Sequence, residues 1–228
     1  MKKTILAVFL FISFINFSMA QENKTSLEFK LFEAKGVVVG EILTFGERYE
    51  KVNNIKLSAP FSFVVPKVKG MTPLFVSADN KSDTIFRVHF TTGDKDTEMK
   101  DREIVENIQF VPMSVPMGEG IDRLELVAKL LANKVFDAAT ASYEANKYLG
   151  TRQTKIGDYD AIEVFGKYID PENGFFYLRI VGILNPNKED SIFVVSNIKD
   201  KFYRIASLND LALTTSGIGL SKFKYISE

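Results

Sequence analysis

The sequence predicts an α+β fold in which a mainly antiparallel sheet carries one long and one short helix. In the first and last thirds of the chain, apolar residues alternate with polar ones, which is the period of half-buried strands. In the middle third, apolar residues recur three and four positions apart, which is the period of an amphipathic helix. Strands on both sides of a single helical region favour one sheet with helices packed on it.

Five strands are predicted before the helical region. Two of them form a hairpin, because the turn-rich connector "DNKSD" lies between them. The third ends at a proline, which cannot continue a hydrogen-bonded ladder. In order, the five segments are Ser26–Phe32, "GVVVGEILTFG", Ala59–Lys67, "TPLFVSA" and "DTIFRVHF".

The long helix is predicted over residues 121–148. Asp122 falls in its first turn, where a negative charge suits the helix dipole, and Gly150 lies where a left-handed cap is cheap. A break near Ala138–Thr140 is the alternative, given the length of the segment. The apolar face comprises Ile121, Leu124, Val127, Ala128, Leu131, Val135, Ala139 and Ser142.

Strands return in the last third, where the turn Asp170–Gly174 joins "DYDAIEVFGKYI" to "GFFYLRIVGIL". The second of these is apolar on both faces, which indicates a central strand, and "SIFVVSNI" follows it. Ser207–Asp210 offers an N-cap for the short helix. Thr214–Phe223 contains a Gly-x-Gly outside any phosphate-loop context, and its composition predicts a flexible exit to a final edge strand.

The first twenty residues have the features of a secretory signal. Lys2 and Lys3 precede an apolar run, Ile5–Phe17, and small residues stand at Ser18 and Ala20. The run is shorter than the roughly 20 residues that span a bilayer. We therefore expect residues 1–20 to be a signal peptide and residues 21–228 to be a single α+β domain, of which residues 26–57 are alternatively an extension.

Composition limits the partners and the compartment. The chain has no cysteine, so neither lipidation after the predicted cleavage site nor a disulfide is expected. It has 29 basic and 29 acidic residues, and without the two lysines of the signal the basic count is 27, a net charge near −2. Nucleic-acid binders need a concentrated basic surface. We expect an exported protein, periplasmic or extracellular, without a membrane span after cleavage. The composition, rich in asparagine, lysine and phenylalanine, and the Ala-Gln cleavage junction suggest a Gram-negative bacterium of the Bacteroidetes type.

The one histidine, His89, lies near an acidic run and raises the question of a metal site. Because His89 shares the more polar face of its strand with Arg87, we expect it to face solvent. No cysteine or second histidine could complete a zinc site. Asp94, Asp96 and Glu98 alternate like the first ligands of a calcium loop, although the glycine and glutamate of that pattern are absent. We therefore expect no metal and keep the calcium loop as an alternative.

Signals for catalysis are weak. Ser196 and Lys199 match the Ser-x-x-Lys pattern of serine acyl-enzymes, but the partner motifs of those enzymes are absent. A pair of carboxylates for glycoside cleavage remains open, and its candidates are Asp158, Asp160 and Glu163. Three tyrosines are candidates for a binding surface or for the sheet edges, namely Tyr159, Tyr168 and Tyr177. No catalytic or cofactor-binding residue is predicted.

The order of these segments resembles the PsbP-like family, an α/β/α sandwich with an antiparallel sheet. The similarity covers roughly residues 58–215, from "APFSFVVPK" through the long helix to "TKIGDYDAIEV", "FFYLRIVGIL" and "SIFVVSNI". It departs from the family in having no tryptophan and a longer segment over residues 79–119. The resemblance implies a non-catalytic protein that docks onto a larger assembly.

Together these observations predict an exported, non-catalytic module that binds an envelope protein, with no cofactor. Two alternatives stay open: a secreted hydrolase that uses paired carboxylates, and a carrier of a lipid or small ligand. The carrier would need an empty apolar cavity beneath the long helix.

Overall fold

The structure is a computed structural model that describes residues 40–77, 84–94, 96–143 and 145–226. The predicted signal peptide and the predicted strand Ser26–Phe32 lie outside the described residues. The strands are β1 Gly40–Phe45, β2 Phe61–Pro66, β3 Met71–Ser77, β4 Phe86–Thr92, β5 Ile104–Ser114, β6 Asn146–Ile156, β7 Tyr159–Asp170, β8 Gly174–Ile183, β9 Asp190–Lys199 and β10 Lys224–Tyr225.

Three α-helices accompany these strands in the described part of the chain. Helix α1 is Glu47–Asn53 and helix α3 is Thr215–Leu220. The long helix, α2, consists of Arg123–Leu130, a π-helical turn Leu131–Val135 and Phe136–Thr140. Short 3₁₀ turns occupy Met99–Asp101, Asp200–Phe202 and Leu208–Leu213.

Seven strands form one antiparallel sheet in the order β3-β4-β5-β9-β8-β7-β6. The predicted hairpin is present as β3 and β4, and β8 is central, as its apolar sequence predicted. The α+β class and the mainly antiparallel sheet are confirmed.

One face of the large sheet is covered by a small sheet, β1-β2-β10, and by the C-terminal segment. Aromatic rings from both sheets meet in this layer: the rings of Phe61 and Phe110 stack with centroids 5.1 Å apart, and Phe223 stacks on Phe61. Residues 40–57 contribute Phe45 and Leu57 to the same core. This core joins the small sheet to the large one.

Helix α2 covers part of the opposite face. Its buried residues include Val127, Leu131 and Phe136, which pack against β7, β8 and β9. Two glycines allow this close approach, because a Cβ at Gly182 would collide with Val127 and one at Gly166 with Phe136. Among the described residues, the space beneath α2 is therefore filled where these glycines lie, which disfavours a ligand cavity at that position.

The predicted end of the long helix is wrong. The helix stops at Thr140, whose hydroxyl bonds to the Phe136 carbonyl, and residues 146–156 form strand β6 instead. Gly150 lies inside β6, beside a register shift, and is no helix cap. The alternative break near Ala138–Thr140 matches the structure, because pairing with β7 provides the segment after it with a complete ladder of hydrogen bonds.

The C-terminal segment also differs from expectation. Thr214 caps α3 by accepting a bond from the Gly217 amide at 3.3 Å, and most of α3 is buried. A Cβ at Gly219 would collide with Phe63, so the glycines serve close packing rather than flexibility. The final edge strand is present as β10, paired with β2.

Within the described residues, no helix has the length and apolar character needed to cross a membrane.

Candidate functional site

His89 lies on β4, opposite Asn107 of β5 and on the face of the sheet that carries α2. It is half-buried rather than fully solvent-facing, and its Nδ1 has no hydrogen-bond partner among the described residues. Burial and the neighbouring Arg87 charge lower the pKa of His89 to about 4. His89 is therefore neutral at physiological pH.

The acidic run forms a loop held by its own side chains. The Asp94 carboxylate accepts bonds from the Asp96 amide and the Thr97 hydroxyl, both at 3.1 Å. Arg102 donates to the backbone carbonyls of Asp94 and Thr97 at 2.6 and 3.0 Å. Glu98 pairs with Lys100 at 2.7 Å. The Arg102 guanidinium therefore lies against the loop, where its positive charge opposes the binding of a cation.

The structure does not gather these carboxylates into a metal centre. Across the described residues, no three histidine, aspartate or glutamate side chains are grouped so that they could hold a metal ion. The calcium loop remains an untested alternative.

Ser196 and Lys199 do not form a reactive pair. They stand three residues apart on β9, so their side chains lie on opposite faces of the sheet. Ser196 is fully buried opposite Ile108 and Arg179, and its Oγ has no partner among the described residues. Lys199 is bonded to Glu103 instead.

The three candidate carboxylates are also separated. Asp158 lies in the turn between β6 and β7, and Asp160 pairs with Lys155 at 3.0 Å on the surface. Glu163 is buried on the other face of β7, where Arg152 bonds it at 2.6 Å and Arg179 at 3.0 Å. Arginines bond both carboxylate oxygens of Glu163, and its side chain is buried, so this carboxylate is engaged within the fold.

A second buried carboxylate ties the C-terminal segment to the sheet. Glu106 accepts bonds from the Tyr203 hydroxyl at 2.8 Å and from the Ser216 amide at 3.1 Å. Burial raises the pKa of Glu106 above its ordinary value. Arg179 also reaches the Leu211 carbonyl at 3.2 Å. These contacts are structural, because they connect core elements.

The sheet face that packs against the C-terminal segment continues beyond it as an exposed surface. Lys147 of β6 lies directly opposite Lys167 of β7, and Lys167 lies opposite Tyr177 of β8. In the next row, Ile169 lies opposite Phe175. These five residues, which we call the basic–aromatic cluster, continue the face that carries Phe165 and Arg179 under the C-terminal segment.

The cluster is accessible to solvent. Ile169 is 49% exposed, Lys147 is exposed, and the other three are half-buried. The rings of Phe175 and Tyr177 meet edge to face with centroids 5.3 Å apart, and Lys167 Nζ lies 5.4 Å from the Phe175 centroid. The exposed surface therefore combines aromatic rings, an isoleucine and ammonium groups.

The two lysines lack an acidic partner among the described residues, whereas Lys155 and Lys199 each pair with a carboxylate. Like charges directly opposite each other on neighbouring strands are destabilising. Lysine on an edge strand protects against aggregation, which accounts for Lys147. It does not account for Lys167, because β7 is an interior strand.

The three tyrosines named from the sequence have different roles. Tyr168 is buried, stacks on Tyr143 and donates to Asn197 at 2.9 Å. Tyr159 packs edge to face against Phe223. Only Tyr177 of the three belongs to the cluster.

Sequence reasoning missed Lys147 and Lys167 as a pair. Lys147 fell inside the predicted helix, where a lysine is an ordinary exposed residue. The β-branched residues Thr151, Thr154 and Ile156 are a weak signal for β6, but they do not indicate the register that brings the two lysines together.

Comparisons with known proteins concern the fold. No family model matches the chain, and no curated protein matches it. The solution structure of cyanobacterial PsbP (CyanoP) from Synechocystis sp. PCC 6803 superposes with a TM-score of 0.51 at 10% identity, over 85% of this chain and 98% of that chain. The chain has a PsbP-like fold.

Two further structures are more distant. LpqN, involved in cell envelope biogenesis of Mycobacterium tuberculosis, gives a TM-score of 0.43 at 10% identity, over 82% of this chain and 91% of that chain. PA94 from Pseudomonas aeruginosa, a protein of unknown function, gives 0.30 at 9% identity, over 70% and 84%.

Proposed function

We propose that the protein is an exported, non-catalytic module that binds a protein partner in the cell envelope. The observation that carries this proposal is the basic–aromatic cluster. It combines exposed apolar area with two lysines that have no acidic partner among the described residues. Aromatic residues are enriched at protein interfaces relative to the rest of a protein surface.

The reactive groups named from the sequence support binding over catalysis. Glu163 is bonded to two arginines, and Ser196 lies on the opposite face of the sheet from Lys199. His89 is half-buried on the other side of the sheet from the cluster. The described candidates therefore provide no nucleophile beside an acid or base.

The PsbP-like fold agrees with this proposal, since the resemblance to that family implies a protein that docks onto a larger assembly. Fold alone does not specify function, and the cluster supplies the local chemistry. The envelope location rests on the predicted signal peptide.

Affinity capture tests the proposal. Tagged protein spanning Gln21–Glu228 is incubated with envelope extract of its source organism, and the recovered proteins are identified by mass spectrometry. A matched variant with Lys51→Glu and Lys56→Glu alters an exposed region near α1, far along the chain from the cluster. We expect both proteins to recover the same partner at a near-stoichiometric ratio. Recovery of no protein above the tag-alone background contradicts the proposal.

A further inference from the structure

The chemistry of the cluster indicates what binds it. We propose that the basic–aromatic cluster holds an acidic segment of the partner protein, with a carboxylate between Lys147 and Lys167 and an apolar side chain on Ile169 and Phe175. This inference rests on the proposed function and adds the chemistry of the partner.

Strand register places the two lysine side chains next to each other. Lys147 and Lys167 are directly opposite on adjacent antiparallel strands, and such residues have Cβ atoms about 4.5–5.5 Å apart. Both side chains are long and flexible enough to approach a single carboxylate from two sides. One bound anion would replace the repulsion between the lysines with two charge-assisted hydrogen bonds.

Neighbouring lysines show how the protein satisfies such charges elsewhere. Lys155, eight residues along β6, lies opposite Asp160 and pairs with it at 3.0 Å. Lys199 is buried against Glu103. At the cluster the residue opposite the lysine is a second lysine, so an acidic group of the partner would supply the complementary charge.

The apolar part lies one row away. Ile169 and Phe175 are opposite each other, two residues along their strands from Lys167 and Tyr177. Side chains two residues apart on a strand share a face and are separated by about 6.6–6.8 Å. An extended peptide that places a carboxylate on the lysine row therefore places a nearby side chain on the apolar row.

Two cations favour a protein segment over a membrane. Lipid-binding surfaces that recognise anionic headgroups usually gather 4–8 basic residues, and the cluster has two. The edge-to-face aromatic pair suits an apolar side chain, as in the centre of protein interfaces. An acidic peptide segment satisfies both parts of the surface.

Zero-length carbodiimide crosslinking tests the inference, because this reagent joins a lysine amine to a carboxylate that contacts it. The captured complex is crosslinked, digested and sequenced by mass spectrometry. We expect bonds from Lys147 or Lys167 to aspartate or glutamate of the partner. Lys147→Glu should weaken capture about tenfold or more. Lys155→Glu, the same change on the opposite face of β6, should leave capture unchanged.

The outcomes separate the two proposals. Capture by the wild type that is unaffected by Lys147→Glu, with crosslinks elsewhere, overturns the acidic segment and leaves the binding module standing. Failure of the wild type to capture any protein rejects the binding module, and the inference with it. Sedimentation with phosphatidylglycerol vesicles that Lys147→Glu abolishes assigns the cluster to a lipid headgroup and also overturns the inference. Thermal melting of each variant checks folding.

Discussion

Two regions of one sheet face differ in how their charged residues are paired. Beneath the C-terminal segment, Glu163 lies between Arg152 and Arg179, and each of these three charged groups has an ion-pair partner of opposite sign. At the uncovered end, Lys147 lies opposite Lys167, and neither lysine forms an ion pair with a carboxylate of the described residues. The two regions belong to the same strands, so strand sequence alone does not explain the contrast.

The difference in solvent exposure explains why one region needs ion pairs and the other does not. A buried charge without a partner costs several kcal/mol, so the covered region requires matched ions. At the exposed end, water and salt screen the two lysines, so their repulsion costs little. The ion pairs of Glu163 therefore stabilise the fold, whereas the two unpaired lysines are the charges that the proposed partner would bind.

The largest expected effect comes from breaking the matched region. Glu163→Gln should lower the free energy of unfolding by about 3–5 kcal/mol, because it leaves Arg179 charged and buried without a counter-ion. Urea denaturation measures the change. Asp160→Asn, on the same strand, removes an exposed pair and should cost less than about 1 kcal/mol. If the two variants lost the same free energy of unfolding, burial would not determine how much an ion pair contributes to stability here.

A smaller effect concerns Glu106, the other buried carboxylate under the C-terminal segment. Because burial raises its pKa above the ordinary value of 4.5, the folded protein holds this proton more tightly than the unfolded chain. The free energy of unfolding should therefore fall as pH rises from 4.5 through the raised pKa. In Glu106→Gln this contribution should be missing.

Melting temperatures measured from pH 4.5 to 8 for both proteins test this. His89 contributes the opposite slope, because its pKa is lowered to about 4 and stability due to it is lost as pH falls from 6.5 toward 4. Both proteins contain His89, so subtracting the melting temperature of Glu106→Gln from that of the wild type at each pH removes the His89 contribution. A difference that rises with pH would contradict the assignment.

At the uncovered end, a substitution should stabilise the protein while it weakens binding. Lys147→Glu replaces a like-charged pair with an opposite-charged one and should raise the free energy of unfolding by about 0.5 kcal/mol. Lys155→Glu places a glutamate opposite Asp160 and should lower it by a similar amount. Chemical denaturation at low salt compares the two. Destabilisation by both would indicate that Lys147 has a structural role.

The smallest expected effect is at the acidic loop. Because Arg102 already bonds the carbonyls of Asp94 and Thr97, calcium should shift the melting temperature by less than about 1 °C relative to a chelator. Asp94→Asn serves as the control. A rise of several degrees that this variant abolishes would establish the calcium loop.

Much of the fold followed from local patterns. Alternating or continuous apolar residues predicted β7, β8 and β9, the turn-rich connector predicted the hairpin β3–β4, and the 3–4 spacing predicted α2. These elements could be predicted because each pattern lies within one segment of the chain.

Other features depended on contacts between distant segments. Residues 146–148 continued the helical pattern, yet β6 forms because it pairs with β7. Thr214–Phe223 has the composition of a loop, but burial against β2 and β5 makes part of it the helix α3. Helix α1 was not predicted, because its seven residues bury no side chain and so show no apolar period.

Local sequence patterns were sufficient to predict the α+β class and the helical middle of the chain. The pairing of charges depends instead on which strands lie side by side and in what register. A strand's period of two assigns residues to faces, but it does not specify which residue of the neighbouring strand lies opposite. Register placed Glu163 beside Arg152 and Arg179, and it placed Lys147 beside Lys167. The same register, with the C-terminal segment covering only one of these groups, buried the first and left the second exposed.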